Sequence, residues 1–240
     1  MSSAASRPES PRTMDPPDGG PVGKVADGGR EWSVMVRVMG PPDAVTKTGE
    51  RVSFRKGKSL ELLCWLALNR ERMSRSMART AMWEVDVADA TFSTVVSEMR
   101  RAVTRSAVDI APGSVSSPTY SDELLLDRRV VSDYDVLQRS LAEFSDDECS
   151  VFSVLRCLRL VRGIPFCGAN YGWPDLDGTT TRIAVTVLES SLAVAEWAVD
   201  RKRFNAATDA LGAGLRVFPG HSDLLELQSR MLRHRRYADE

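Results

Sequence analysis

The sequence predicts a mostly α-helical protein with small β elements, arranged in two successive units. Three observations carry that prediction. Val34, Val36 and Val38 alternate with Met35 and Arg37, the period-two signature of a half-buried strand. Phe92, Val95, Val96, Met99 and Val103 fall at i, i+3, i+4, i+7 and i+11, one continuous stripe of an amphipathic helix. Ala207, Leu211, Gly214 and Pro219 follow the small–large–small–proline spacing of the second helix of a tetratricopeptide repeat.

Taken in order, residues 1–32 read as a disordered arm. Residues 1–31 hold five prolines, five glycines and no aromatic side chain, too little apolar surface to offset the entropy of ordering. Gly23-Lys24 there imitates the end of a phosphate-binding loop. Asp18 and Val25 occupy the positions that need glycine and a hydroxyl, so the resemblance fails. The first strand is stopped by Gly40-Pro41-Pro42, and the spacing predicts a second over Arg51–Phe54 after the turn residues Thr48-Gly49-Glu50. Three helical patterns follow. Leu60, Leu63, Cys64, Ala67 and Leu68 share one face, with Ser59 as the expected cap. Ser74 is positioned to cap a helix that buries Met77, Ala78, Ala81 and Met82. The Phe92–Val103 stripe is the third. Val108-Asp109-Ile110 and Leu124-Leu125-Leu126, separated by a Pro/Gly/Ser-rich turn, read as a closing hairpin. Strand, three helices and hairpin over 33–128 is the order of a winged helix-turn-helix.

Over 129–240 the pattern is nearly all helical. Asp133 is placed to cap a helix bearing Tyr134, Leu137, Leu141 and Phe144, and another spans about 146–161. After a glycine-rich loop from Gly163 to Pro174, three more helices are expected, the last beginning at His221-Ser222. Tetratricopeptide-like packing follows from the alanine, glycine and proline spacing noted above.

The stretch KGKSLELLCWLALNRERMSRSMARTAMW with ATFSTVVSEMRRAV resembles the DNA-binding domain of actinobacterial SARP-type transcriptional regulators. The loop from Val161-Arg162-Gly163-Ile164-Pro165-Phe166 to Trp173 is similar to the signature of their bacterial transcriptional activator domain, BTAD. The resemblance runs over roughly residues 34–236. It implies a winged helix that reads double-stranded DNA, and a helical domain serving homodimerisation or contact with RNA polymerase. At Glu98 the family often has a basic residue, and the segment 116–122 lacks the family's usual wing glycine.

If the third helix buries its stripe, Ser93, Thr94, Ser97, Arg100, Arg101 and Thr104 face outward. Small hydroxyls let a helix approach the major groove closely, and arginine reaches guanine O6/N7. Glu98 would repel phosphates unless it accepts from cytosine N4. Phosphate contacts are expected from Arg51, Arg55, Lys56, Lys58, Arg75 and Arg79, several of them near helix N-termini. Phe166, Tyr171 and Trp173 are assigned to docking the loop between the units or to a partner.

Composition bounds the rest. The chain has 240 residues with 32 basic and 33 acidic side chains, a net charge of −1 that excludes a polyelectrolyte binding nucleic acid by bulk charge. Residues 37–105 nevertheless hold 13 basic and 8 acidic side chains. Four cysteines without a CxxC pair and two isolated histidines suggest neither metal nor disulfide framework. No nucleophile–base pair, carboxylate dyad or cofactor motif is present, so no enzyme and no cofactor are expected. The longest apolar run, Leu60–Leu68, is broken by Glu61 and falls well short of the ~20 residues of a membrane span. A cytoplasmic protein with no membrane partner is expected. The alternative function is a degenerate winged helix that binds another protein rather than DNA.

Overall fold

The computed structural model describes residues 31–72, 74–85, 87–115 and 121–236. It is mostly helical with one small sheet. Among the described residues there are three strands, β1 (Val34–Arg37), β2 (Asp43–Thr46) and β3 (Val130–Ser132). They lie in the order β2-β1-β3, with β2 antiparallel and β3 parallel to β1. Val34, Met35 and Val36 are fully buried, as a central strand covered on both faces must be.

The second strand starts eight residues earlier than the sequence suggested. Chain reversal comes directly after Gly40-Pro41-Pro42, pairing Val36 with Ala44 and Val34 with Thr46. The Arg51–Phe54 segment keeps only a bridge from Arg51 to Val45 and a bond from the Val52 amide to the Ala44 carbonyl. The expected hairpin is also replaced. Val108–Ile110 form a turn leading into a 3-10 helix at Pro112–Val115, and Leu124–Leu126 pair with no strand. The edge of β1 is taken by β3 instead. Its approach is fixed by Asp127, which accepts bonds from the Arg129 amide and guanidinium, and these hold the Asp127 carboxyl well below the usual carboxylate range. The turn 116–120, and the arm 1–30, lie outside the described residues.

Helices α1 (Gly57–Leu68), α2 (Arg75–Met82) and α3 (Asp89–Ser106) come next, with α1 packed on both others. Phe92, Val95, Val96, Met99 and Val103 are all buried, as their spacing requires. Ser74 caps α2 by accepting the Met77 amide at 3.1 Å. Ser59 is not a cap. It sits buried in the first turn of α1 and donates across to the Val95 carbonyl of α3, while Lys56 occupies the cap position without a side-chain bond. Met77 points outward and is 43% exposed, so α2 buries Ala78 and Met82 alone.

The second half comprises α4 (Asp133–Ala142), α5 (Glu148–Leu158), a single turn α6 (Trp173–Leu176), α7 (Thr179–Asp200), α8 (Phe204–Val217) and α9 (Ser222–Arg236). The cap of α4 is Ser132, in a capping box with Asp135. Asp133, one residue on, is fully buried and accepts the Val38 and Met39 amides at the end of β1. Burial raises its pKa to about 6, opposed by those two amides and by Arg162. The 161–166 loop closes on the same strand end. The Arg162 amide donates to Met39 at 2.7 Å and the Phe166 amide to Val38 at 3.2 Å. Gly40, at φ +142°, lies so close that a Cβ there would sit 2.8 Å from Arg162 Cβ. In the last three helices, Gly214 lets α8 meet its neighbours, since a Cβ would stand 2.9 Å from Leu224 of α9 and 3.0 Å from Ser191 of α7. The turn after Phe218 contains Pro219-Gly220, and α9 begins at Ser222 as the sequence indicated.

Candidate nucleic-acid interface

The outward side of α3 carries two polar rows. Ser93, Ser97, Arg100 and Thr104 form a half-buried row on one side, anchored at Ser93 by a bond from Arg75 of α2 at 2.9 Å. Thr94, Glu98, Arg101 and Arg105 follow the i, i+4, i+7, i+11 line beside the segment Ser53–Lys56. Between this second row and that segment lies a groove of about 290 Å³ lined by Ser53, Arg55, Lys56, Glu98, Arg101 and Arg105. The four cations are exposed and make no ion pair among the described residues. At its base, Glu98 Oε1 is buried without a hydrogen-bond partner among the described residues. The hydroxyls of Thr94 and Thr104 donate to the carbonyls of Ala90 and Arg100, one turn back.

The predicted phosphate contacts divide by what already holds them. Lys58 donates to the Met82 carbonyl, pairs with buried Glu61 at 2.8 Å and lies over the Trp83 ring. Arg75 stacks on Phe92 as well as bonding Ser93. Arg79 pairs with Asp89 and donates to the Val87 carbonyl, fixing the α2–α3 turn. These three cations brace the scaffold. Arg51 is exposed, but its nearest acid is Asp43 at 3.6 Å, a carboxylate shared with Arg37 and Arg162 at the sheet end. Arg55 and Lys56 alone of the six join the α3 groove. Arg105 was not among the residues singled out from the sequence. Its signal was present, four residues after Arg101 and seven after Glu98 on one helical line.

Asp122, an acid in the segment expected to form the wing, lies against the start of α2. It accepts the Ser76 amide and hydroxyl at 3.0 and 2.7 Å, and its backbone carbonyl accepts the Arg75 amide. The Ser76 hydroxyl holds its carboxyl below the ordinary range. Its charge therefore offsets the positive end of α2 rather than facing outward alone.

Phe166, Tyr171 and Trp173 come together as a cluster. Phe166, at φ 58°, sets its ring edge-on to Trp173 and Tyr171, with centroids 5.6 and 6.3 Å away. Through the Phe166 amide this cluster is tied to β1. Trp173 is buried with its indole N–H unpartnered among the described residues.

Among the described residues, no group of three His, Cys, Asp or Glu side chains is placed to hold a metal. No described helix is long and apolar enough to cross a membrane. No family model and no curated protein matches the chain.

Proposed function

We propose that the chain is a DNA-binding transcriptional regulator in which α2 and α3 act as a helix-turn-helix and α3 enters the major groove. The observation that carries this reading is the row of uncompensated cations, Arg55, Lys56, Arg101 and Arg105, flanking the hydroxyl-bearing face of α3. A phosphodiester backbone is the ligand for which spaced, unpaired, exposed cations on two sides of a helix are suited. Thr94, Ser97 and Arg101 then supply base-edge contacts, with Ser93, Arg100 and Thr104 on the neighbouring row, and Glu98 accepts from a cytosine amino group at the groove floor. Lys58, Arg75 and Arg79 hold α1, α2 and α3 in register beneath. The helical second half, in line with the SARP and BTAD resemblance, serves as the surface for a second copy or for RNA polymerase.

The test is salt-dependent binding to promoter duplexes followed by fluorescence anisotropy. Replacing Arg55, Lys56, Arg101 and Arg105 together by alanine lowers the slope of log K against log salt by roughly 3 to 4, at about 0.9 per lost phosphate contact. A quadruple variant with unchanged slope refutes the interface. The orphaned oxygen of Glu98 favours one second reading, in which this groove takes a basic side chain of a protein partner. Failure of the wild-type protein to bind any duplex at low salt would select it.

A further inference from the structure

At the opposite half of the chain, a cleft of about 990 Å³ opens between α5, the α7–α8 turn and the end of α9. Its floor is aromatic. Trp197 is nearly buried, meets Phe152 edge-on at 6.2 Å and donates its indole N–H to the Asp146 carbonyl, while Phe204 is half-buried at the start of α8. Its walls are ionic. Arg159 and Arg203 are held by Asp209 and Glu148, each at 2.7 Å. Arg201, Lys202 and Arg235 are exposed and make no ion pair among the described residues. Arg201 is nevertheless ordered, its guanidinium lying 4.6 Å from the centre of the Trp197 ring. An arginine stacked in this way loses little further freedom when it binds a carboxylate. Lys202 adopts φ 57°, a conformation lysine seldom takes, which turns the chain sharply between α7 and α8.

We propose that this cleft binds an acidic peptide segment of a partner protein, one that carries a large apolar side chain among its carboxylates. Three unpaired cations on the rim take the carboxylates, the aromatic floor takes the apolar group, and Asn205 offers an amide donor and acceptor to the peptide backbone. Charge pattern separates this ligand from nucleic acid. Asp146, Glu148 and Asp209 also line the cleft. A continuous phosphate backbone would meet all three, whereas peptide carboxylates at discrete positions pass between them. The site is separate from α3 and stands whether or not α3 reads DNA.

The experiment uses the full chain and a fluorescein-labelled synthetic peptide alternating glutamate with leucine and phenylalanine, beside its glutamine counterpart. The glutamate peptide binds and is released by salt, and the glutamine peptide binds at least about tenfold more weakly. Arg201→Glu, Lys202→Glu and Arg235→Glu combined lower peptide affinity at least about tenfold, with the melting temperature and any duplex affinity unchanged, because all three side chains are exposed. Phe204→Ala lowers affinity for the leucine- and phenylalanine-bearing peptide more than for an alternating glutamate–glycine one. Equal binding of the glutamate and glutamine peptides overturns the proposal, as does full affinity in the charge-reversed variant. Loss of duplex binding in that variant also overturns it, by assigning the cleft to nucleic acid.

Discussion

Replacing Asp133 by asparagine changes how the stability of this protein depends on pH, and the size of the change follows from its surroundings. The carboxyl is fully buried between α4 and the end of β1, with a pKa of about 6 against an ordinary 3.8. Below about pH 4 it is protonated in both the folded and unfolded chains and costs nothing. As pH rises from there to about 6, the unfolded chain releases the proton while the folded one retains it, so folding stability falls with a slope near 1.4 kcal/mol per pH unit. Above the folded pKa both forms are ionised and the full cost, about 3 kcal/mol, is in force. Asparagine cannot titrate, but it has one acceptor oxygen where two amides need partners, so the Val38 or Met39 amide loses its bond at a cost of roughly 1–3 kcal/mol at every pH. Asp133→Asn is therefore less stable than wild type near pH 4 and equal or more stable near pH 7. Urea unfolding followed by tryptophan fluorescence across that range gives the difference directly. Asp109, Asp122, Asp127 and Asp147 have lowered pKa values that act in the opposite direction. They are common to both proteins and cancel in the comparison. A stability difference that stays flat between pH 4 and 7 would refute the buried, strained carboxylate.

Four further outcomes are expected. Gly214→Ala destabilises by up to about 2 kcal/mol, because overpacking against Leu224 and Ser191 outweighs the ~1 kcal/mol gain in helix propensity. Gly212→Ala on the same helix, where the nearest atom is the mobile Arg216 guanidinium at 3.6 Å, is neutral or stabilising by up to about 1 kcal/mol; thermal melting of the pair reads the difference. Ser132→Ala removes both halves of the α4 capping box and costs about 1 kcal/mol in urea titration. In timed thiol labelling with mass detection, exposed Cys149 reacts first, and Cys64, buried with its pKa pushed up by desolvation, reacts only on global unfolding.

What the sequence disclosed and what it concealed divide along a physical line. Periodicity within one element is local, so the α3 stripe and the close-packed Gly214 were legible residue by residue. Pairing between distant strands is not local. Nothing in Val130-Val131-Ser132 announces that it lies beside Val34–Val36, about a hundred residues earlier, and a hairpin of neighbouring segments is the default reading. Ser132 and Asp133 are both good capping residues, and only the tertiary position of the Val38 and Met39 amides decides which of them caps and which is buried. In the α3 interface, the stripe showed which residues face out. It could not show that Lys58, Arg75 and Arg79 are held by Glu61, Ser93 and Asp89, or that Arg105 stands with Arg55 across the groove.

The parallel pairing of β3 with β1 has a mechanical consequence. The strand that completes the sheet is also the lead-in to α4, so the floor beneath α1–α3 and the first helix of the second half are one piece of backbone. A cut after residue 128 would leave not a smaller reader but a sheet with a bare edge, and Asp133 gone from the end of β1. The two halves are consequently expected to melt in a single transition, and any force applied at α4–α9 reaches α3 as displacement of a whole body rather than as play in a hinge.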